Sequence, residues 1–335
     1  MKIKKEAEIS MEYISIDIGN GYVKAVNLEG DTLHFPTVLK ENRDKNILGE
    51  AKSNYKIEVN GKSYYIGNLA IAKRAVRRWQ NTKAVNADTL LYIALCASIL
   101  SKDDEINLCL GLPYSYYVEM KKGTQLIESL TNKTFETKYK QEKRTITINH
   151  VSVYPQGAGA YFNNLYDITG KARKGAEKYI KSLFIDLGYR TVDVVAFESV
   201  DNYFELIEEN SFSLEELGTF RIVNYIVNNL NELEFNSDDV EYALRNNHGR
   251  IENMYDTIDL TELEATAYEE LAEKIVTQIN GRLSGQIQKY ANVFLTGGGA
   301  EKLYPLLKEH YPNLRLQDDY IFCNAKGYLA LENTK

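Results

Sequence analysis

The feature that most constrains this fold is a turn that occurs twice, half a chain apart. Tyr13 to Val26 reads YISIDIGNGYVKAV, and Leu183 to Val195 reads LFIDLGYRTVDVV. In both, a β-rich run reaches an Asp-apolar-Gly turn and apolar residues then resume, which is typical of a strand, a tight turn and a returning strand. Asp17 and Asp186 are 169 residues apart in a chain of 335. The sequence therefore predicts two similar α/β halves that face each other across a cleft, where the two turns meet.

The rest of the chain alternates between strand and helix patterns, which supports an α/β fold. Strands are predicted at Thr32 to Pro36, Ser63 to Gly67, Ile106 to Leu110, Thr145 to Val153 and Ala291 to Leu295, and helices at Ala87 to Ser101, Tyr117 to Leu130, Gly157 to Leu165, Leu217 to Leu230 and Leu260 to Gln288, with another from Glu301. We assign residues 11–155 with 324–335 to domain I and residues 156–323 to domain II. Polar segments at about 37–62 and about 200–258 are interpreted as smaller inserted subdomains. Hinges are expected near Val153 to Gly157 and Asn324 to Gly327.

Composition disfavours several classes of protein. Hydrophobic residues make up 44% and charged residues 26%, which is ordinary for a globular chain long enough for two cores. The net charge of −7 would repel nucleic-acid phosphates, so we expect no direct DNA binding. Three cysteines without a C-x-x-C pair indicate buried thiols in a reducing compartment, and four scattered histidines indicate no zinc site. The longest apolar stretch, Leu90 to Leu100, is too short for a membrane helix, and no signal peptide is apparent. We therefore expect a cytoplasmic protein without a membrane partner.

The first turn has the features of a phosphate-binding loop. Gly19 and Gly21 flank Asn20 and allow the backbone to present successive N–H groups, which together form a concavity that binds anions. Tyr22 follows, and Lys24 adds a positive charge that suits a phosphate. The same residues also form an ordinary β-hairpin signal with Asn-Gly at its tip, so the motif alone leaves both interpretations open.

The second turn offers a partner for the first. Asp186 ends its strand, and Gly188, Tyr189, Arg190 and Thr191 form the turn, in which the threonine hydroxyl could donate to a phosphate oxygen. A carboxylate from each turn, if the two meet across one cleft, suits a hydrated Mg²⁺ that bridges the β- and γ-phosphates. A single Asp here would more often simply end a strand, but its occurrence in both halves favours the metal.

Two further segments could complete a nucleotide site. Gln156 opens a helix of small residues, where its amide can orient a water for in-line attack, although a Gln at a helix start is also a common cap. The glycines Gly297, Gly298 and Gly299 follow a buried strand, so that backbone can pass close to a nucleoside, with Gly218 approaching from the other side. The alternative is a helix N-terminal loop with spare glycines.

These segments, in their order along the chain, resemble those of the actin-like nucleotide-binding superfamily. The resemblance extends from Ile14 to Leu331 of this sequence. Within that superfamily, the chain is most similar to the ParM/StbA bacterial actins, also in Asn60-Gly61-x-x-Tyr64 and Gly111-Leu112-Pro113-x-x-x-Tyr117. Asp17-x-Gly19-x-Gly21-x-Val23-Lys24 is similar to the first phosphate loop, Asp186-Leu-Gly188 to the second, Val153-Tyr-Pro155-Gln156-Gly157 to the first connecting segment, Thr296-Gly-Gly-Gly-Ala300-Glu301 to the adenosine loop, and Asn324-Ala-Lys-Gly327-Tyr328 to the second connection.

The resemblance implies an actin-like fold, with two similar α/β domains across a nucleotide cleft, each carrying a smaller subdomain. It implies an ATPase that uses ATP, with GTP as an alternative nucleotide, and that polymerises head to tail. The filament would move plasmid copies through a basic, DNA-bound adaptor of the ParR type. On this resemblance Asp17 and Asp186 hold Mg²⁺ through water, Lys24 and the loop amides bind phosphates, Gln156 positions the attacking water, and Lys302 joins the nucleotide site. Asp186 is then also a catalytic residue.

The chain departs from the family at two places. Tyr189 and Arg190 stand where the second loop often has Gly and a small residue, and many ParM proteins have Glu where Gln156 stands. Two other functions share the fold. A small-molecule kinase would need an Asp general base and a substrate domain, neither of which is evident. A membrane-associated bacterial actin scaffold would need a terminal amphipathic helix, which neither Met1 to Ser10 nor Leu329 to Lys335 resembles.

Overall fold

The structure, a computed structural model of the chain, describes residues 12–42, 55–75, 87–176, 181–200, 203–230, 235–252 and 257–334. The strands are β1 (Glu12–Ile18), β2 (Tyr22–Val26), β3 (Thr32–Pro36), β4 (Leu39–Glu41), β5 (Tyr55–Val59), β6 (Lys62–Ile66), β7 (Glu105–Leu112), β8 (Lys133–Tyr139), β9 (Glu142–Pro155), β10 (Lys181–Leu187), β11 (Val192–Val200), β12 (Tyr203–Leu206), β13 (Phe212–Leu214), β14 (Arg250–Glu252), β15 (Thr257–Asp259), β16 (Asn292–Thr296) and β17 (Leu314–Leu316). The helices are α1 (Asn68–Ala72), α2 (Ala87–Leu100), α3 (Tyr114–Val118), α4 (Met120–Leu130), α5 (Ala158–Leu165), α6 (Phe220–Asn229), α7 (Ser237–Asn246), α8 (Thr261–Leu283), α9 (Ala300–His310) and α10 (Cys323–Glu332).

A nine-stranded sheet forms in the first half of the chain, in the order β3-β2-β1-β7-β9-β8-β5-β6-β4. β7 lies parallel to β1 and β9 at its centre and is buried beyond its first residue, as apolar strands covered on both faces are. α2 and α4 contribute apolar side chains to the core on one face, while α10 contacts β1 and β7. β9 is 14 residues long, so its beginning pairs with β8 and its end with β7. β4, β5 and β6 thereby extend the same sheet.

A six-stranded sheet forms in the second half, in the order β12-β11-β10-β16-β17, with β13 pairing with β11. β10 and β11 are an antiparallel hairpin, and β10 is parallel to β16. Side chains of α6, α8 and α9 join the core on one face, whereas α5 packs on the other face through Tyr161, which stacks on Phe197. Since β1 is likewise paired with an antiparallel β2 and a parallel β7, both halves repeat one arrangement. The predicted fold of two similar α/β halves is confirmed.

α5 and α10 connect the two halves and pack against each other. A Cβ added to Gly327 of α10 would lie 1.7 Å from the carbonyl oxygen of Gly159 in α5, so only glycine fits at this crossing. Asn324 accepts hydrogen bonds at Oδ1 from the backbone N–H groups of Gly157 (3.0 Å) and Ala160 (3.2 Å), which caps the start of α5. The two predicted hinge segments therefore contact each other directly.

Some predicted elements differ from the structure. The helix predicted from Tyr117 to Leu130 is two helices, because Glu119 has φ −74° and ψ 76° and interrupts the helical backbone. The helix predicted from Leu217 begins at Phe220. Of the two predicted inserted segments, residues 43–54, 201–202, 231–234 and 253–256 lie outside the described residues. Within the described ranges, no helix is both long and apolar enough to span a bilayer.

Candidate functional site

The two Asp-bearing turns have the same backbone geometry. In each, the glycine two residues after the aspartate donates its N–H to the carbonyl three residues further on: Gly19 to Tyr22 and Gly188 to Thr191, both at 2.9 Å. The cross-strand partners of the aspartates differ. Lys24 lies opposite Asp17, and its Nζ is 2.8 Å from the Asp17 carboxylate. The residue opposite Asp186 is another acid, the buried Asp193. The repeat thus places three carboxylates and one ammonium group at the cleft.

The carboxylates of Asp17 and Asp186 are each held by a side chain from a connection between the halves. Gln156, just before α5, donates from Nε2 to Oδ1 of Asp17 at 2.7 Å. Asn324, in α10, donates from Nδ2 to Oδ2 of Asp186 at 2.7 Å. Both aspartates are buried, so these amides replace water as donors to the carboxylates. A change in the angle between the halves would therefore act directly on both carboxylates.

The two turns meet at a cavity of about 330 Å³, which is large enough for part of a nucleotide. The turns also touch, since a Cβ on Gly21 would lie 2.6 Å from the Cβ of Tyr189. The residues that sequence patterns predicted and that line this cavity are Asp17, Gly19, Asn20, Gly21, Tyr22, Lys24, Gln156, Asp186, Gly188, Tyr189, Thr191, Gly298 and Lys302.

Four other predicted nucleotide-binding residues are not part of the lining of this cavity, and their role in nucleotide binding stays a prediction. Arg190 reaches Glu216 at 3.3 Å instead of the cavity. Gly218 precedes α6 and donates its N–H to the Arg190 carbonyl, so it supports the second turn from behind. A Cβ on Gly297, which has φ +92°, would clash with Asp186 and Leu187, and a Cβ on Gly299 would clash with Thr219.

The charges at the cavity are unbalanced. Burial and, after it, the nearby Asp17 carboxylate raise the pKa of Asp186 to about 7. Burial alone would lower the pKa of Lys24, but the Asp17 carboxylate, which also accepts its hydrogen bond, and Asp186 together outweigh burial, so the pKa is raised. Burial, together with Lys24 and Arg245, lowers the pKa of His34 to about 4, so this imidazole is neutral at physiological pH. The site holds more negative charge than its single buried ammonium group neutralises.

The donor set fits a magnesium ion bound mainly by water and phosphate. Within the described ranges, no group of three or more His, Cys, Asp or Glu side chains could hold a metal on its own. Asp17 and Asp186 both line one cavity and offer oxygen donors, and Mg²⁺ commonly uses one or two carboxylates while it keeps several waters. The raised pKa of Asp186 is what an uncompensated buried carboxylate shows, and a divalent cation would relieve it.

Several cavity residues were not identified from the sequence. Glu241 and Arg245 reach the cavity from α7, Glu264 and Tyr268 from α8, and His34 from β3. The Arg245 guanidinium lies 4.5 Å from the Tyr22 ring centroid, which joins α7 to the first turn across the cleft. Spacing gives a signal for both helices, because Glu241 and Arg245 on α7, and Glu264 and Tyr268 on α8, are four residues apart and share a face. His34 joins them through tertiary structure alone.

A cleft between two similar α/β halves, with an Asp-bearing hairpin from each, defines the actin-like nucleotide-binding class. Comparison with known families agrees for both halves. Residues 15–159 match the family described as actin-like proteins, N-terminal domain, and residues 184–309 match the family described as archaeal actin homologue MreB-like, C-terminal. The chain belongs to the actin-like proteins, and its fold is of the ParM type.

Relatives cover nearly the whole chain. An archaeal actin homolog of Thermoplasma volcanium is 24% identical over 337 aligned positions, which cover 95% of this chain and 98% of the relative. A 15-stranded ParM filament structure from Clostridium botulinum has a TM-score of 0.81 and 24% identity over 97% of this chain and 99% of that chain. A crystal structure of an archaeal actin homolog in complex with ADP has a TM-score of 0.77 and 20% identity over 97% of this chain and 100% of that chain.

Proposed function

We propose that this protein is a nucleotide-dependent filament-forming ATPase that segregates plasmid DNA through a basic, DNA-bound adaptor. The observation that carries the enzymatic part is the meeting of the two Asp-bearing turns, Lys24 and Gln156 at one cavity. An acidic adaptor partner would be repelled by a chain of net charge −7, whereas a basic protein that also binds DNA would not. The substrate is ATP, with GTP as the alternative nucleotide.

The turns would bind the phosphates of the nucleotide. Gly19 to Tyr22 of the first turn and Gly188, Tyr189 and Thr191 of the second turn line the cavity, and N–H groups in such turns are suited to anions. Lys24 also lines the cavity, where its ammonium group lies 2.8 Å from Asp17, and it would balance part of the phosphate charge. The nucleoside would lie beside Gly298 and Lys302, with α7 and α8 providing the remaining walls.

The two aspartates would hold Mg²⁺ through water, and Gln156 would position the attacking water. When bound, Mg²⁺ would neutralise the charge that develops on the transferring phosphoryl group. Because Nε2 of Gln156 donates to Asp17, its Oε1 is directed to accept a hydrogen bond from a water in the cavity. An amide orients this water without taking its proton, so Gln156 acts by position.

Polymerisation would link the site to movement of DNA. Head-to-tail contacts between different surfaces do not close and therefore build an open filament. The amides of Gln156 and Asn324 connect the cavity to the segments that join the halves, so loss of the terminal phosphate can change the angle between the halves and the filament contact with it. The ParM structure from Clostridium botulinum is that of a filament, which supports this part of the proposal.

Negative-stain electron microscopy and phosphate release, each with and without Mg-ATP, test the enzymatic part. We expect filaments only with Mg-nucleotide, followed by release of phosphate and loss of the filaments. The variant Asp17→Asn should give neither, while Asp318→Asn, at an exposed position, should behave as the parent protein. Absence of both filaments and phosphate release at high protein concentration would refute it. Unchanged plasmid loss after deletion of the gene would refute the role in segregation alone.

A further inference from the structure

One face of α10 supports two separate parts of the candidate site. Asn324, Tyr328 and Glu332 recur at intervals of four residues, so they form one stripe along the helix, and all three are buried. Asn324 holds the Asp186 carboxylate. Tyr328 and Glu332 instead contact the end of β9, just before Gln156. The same helix face therefore supports the carboxylate of the second turn and the segment that carries the proposed water-positioning amide.

Tyr328 packs against β9 because the neighbouring strand has a glycine at this level. Gly111 on β7 lies directly opposite Tyr154 on β9, and a Cβ on Gly111 would lie 2.6 Å from the Tyr328 hydroxyl oxygen. The Tyr328 ring can therefore stack on the Tyr154 ring, with centroids 5.4 Å apart and ring planes 13° from parallel. The Tyr328 hydroxyl donates to the Pro155 carbonyl at 3.4 Å. The two residues before Gln156 are thus both attached to α10.

A buried hydrogen bond adds to this attachment. The Tyr154 hydroxyl donates to the Glu332 carboxylate. Burial and, after it, this hydrogen bond raise the pKa of Tyr154, so the hydroxyl keeps its proton and remains the donor. Only Pro155 separates Tyr154 from Gln156, and a proline restricts its own backbone and that of the residue before it. A shift of Tyr154 away from Glu332 would therefore move Gln156 as well.

Stability alone does not favour a glutamate at position 332. Glu332 is the last residue of α10, where the partial negative charge of the helix end disfavours a carboxylate. It is also buried, and its partner Tyr154 belongs to an apolar cluster with Cys109 and Tyr328. Replacement of both partners of such a polar contact by apolar residues of similar shape is often neutral or stabilising. A role in positioning Gln156 accounts for a residue that packing does not explain.

We infer that Tyr154 and Glu332 are positioning residues for hydrolysis and that they act through Gln156. The Gln156 amide donates to Asp17 at 2.7 Å and would orient the water with its oxygen, so a small displacement of this segment would misplace that oxygen. Neither Tyr154 nor Glu332 lines the cavity, so their effect should fall on turnover and not on nucleotide affinity. This inference rests on the proposed ATPase activity.

Phosphate release by matched variants, compared at equal amounts of pelleted filament, tests this role. Y154F and E332A each remove one partner of the hydrogen bond, whereas E332Q keeps an oxygen that can accept it. We expect Y154F and E332A to lower kcat about tenfold while KM and the affinity for a fluorescent ATP analogue stay unchanged, and E332Q to retain most of the parent rate. The control Y311F removes another buried tyrosine hydroxyl, which donates to Asn280 at 3.2 Å outside the cavity lining, and should behave as the parent protein.

The double variant Y154F/E332M separates positioning from a general loss of stability. It removes donor and acceptor together and leaves no buried charge without a donor, so its free energy of unfolding in urea should be no lower than that of the parent protein. Its kcat should still be about tenfold lower, and no lower than in either single variant, because both residues act through one contact. A kcat that is unchanged in Y154F or the double variant, as low in E332Q as in E332A, or equally low in Y311F would overturn the inference.

Failure of the proposed function would give a different result. If the parent protein releases no phosphate from any nucleotide, hydrogen exchange of the nucleotide-free protein still decides whether the contact positions Gln156. The Gln156 N–H, which donates to the Leu112 carbonyl at 2.6 Å, should exchange faster in Y154F/E332M and at the parent rate in E332Q and Y311F. Equal exchange in the parent protein and all three variants would contradict the inference.

Discussion

Substitution of Asp186 by Asn tests whether the cavity holds an uncompensated buried charge. Burial, together with the Asp17 carboxylate, raises the pKa of Asp186 from 3.8 to about 7. In the unfolded chain the carboxyl group loses its proton near the usual value, so between these two pKa values the folded state binds more protons than the unfolded state. The contribution of this group to stability is therefore largest at low pH and falls as pH rises through this window.

The magnitude follows from the width of that window. Each unit of difference corresponds to about 1.4 kcal/mol, so a pH change from 5 to 7 should lower the free energy of unfolding by at most about 3 kcal/mol through this group. Asp186→Asn removes the charge and keeps the shape of the side chain. The new amide can still hydrogen-bond to Asn324 if the Asn324 amide flips so that its oxygen accepts. At pH 8 the free energy of unfolding of the variant should then exceed that of the parent protein by about 3 kcal/mol, and this difference should shrink towards pH 5.

Urea unfolding of the nucleotide-free protein at pH 5, 6, 7 and 8 measures this effect. The exposed Asp318→Asn variant provides the comparison and should follow the parent protein at every pH. A loss of stability in Asp186→Asn at pH 8, or a difference that does not vary with pH, would show that the carboxylate is already well compensated. The need for a cation at this position would then have no support from the folded chain.

Four other substitutions test separate parts of the structure. Gln156→Ala should slow phosphate release about 100-fold while nucleotide affinity changes little, since it removes the group that orients the water; equal release would exclude that role. Gly327→Ala should lower the free energy of unfolding in urea by about 2 kcal/mol, because its Cβ would lie 1.7 Å from the Gly159 oxygen. Gly281→Ala, in α8 with nothing within 4 Å, should instead raise it by up to about 1 kcal/mol, and the same sign for both would contradict the packing argument. Arg245→Met should speed release of a fluorescent ADP about fivefold by removing the cation over Tyr22, and an unchanged rate would show that this contact does not hold the cleft closed.

The sequence predicted the features that depend on local pattern. Asp17 and Asp186 were identified because an Asp-apolar-Gly turn between two apolar runs produces the same hairpin wherever it occurs. The repeat across half the chain then required a cleft, and the structure brings both aspartates to one cavity. The strand Thr32–Pro36 agrees at both ends, since turn residues or a proline bound it.

Other features could not be predicted from local pattern. The hydrogen bond from the Gly218 N–H to the Arg190 carbonyl of the second turn could not be predicted, because only the fold of α6 onto that turn brings the two residues together. The break at Glu119 has no Pro or Gly to mark it, so α3 and α4 were predicted as one helix. Arg245 reaches Tyr22 from a segment more than 200 residues away in sequence, and no spacing rule connects positions so far apart.

A structure of the protein with Mg²⁺ and a non-hydrolysable ATP analogue would show whether nucleotide and metal bind between the two Asp-bearing turns. We predict that the triphosphate lies between the backbone N–H groups of the two turns and that one water molecule joins the metal to each of Asp17 and Asp186. A nucleotide bound outside this cavity, or a metal that contacts neither aspartate, would contradict it.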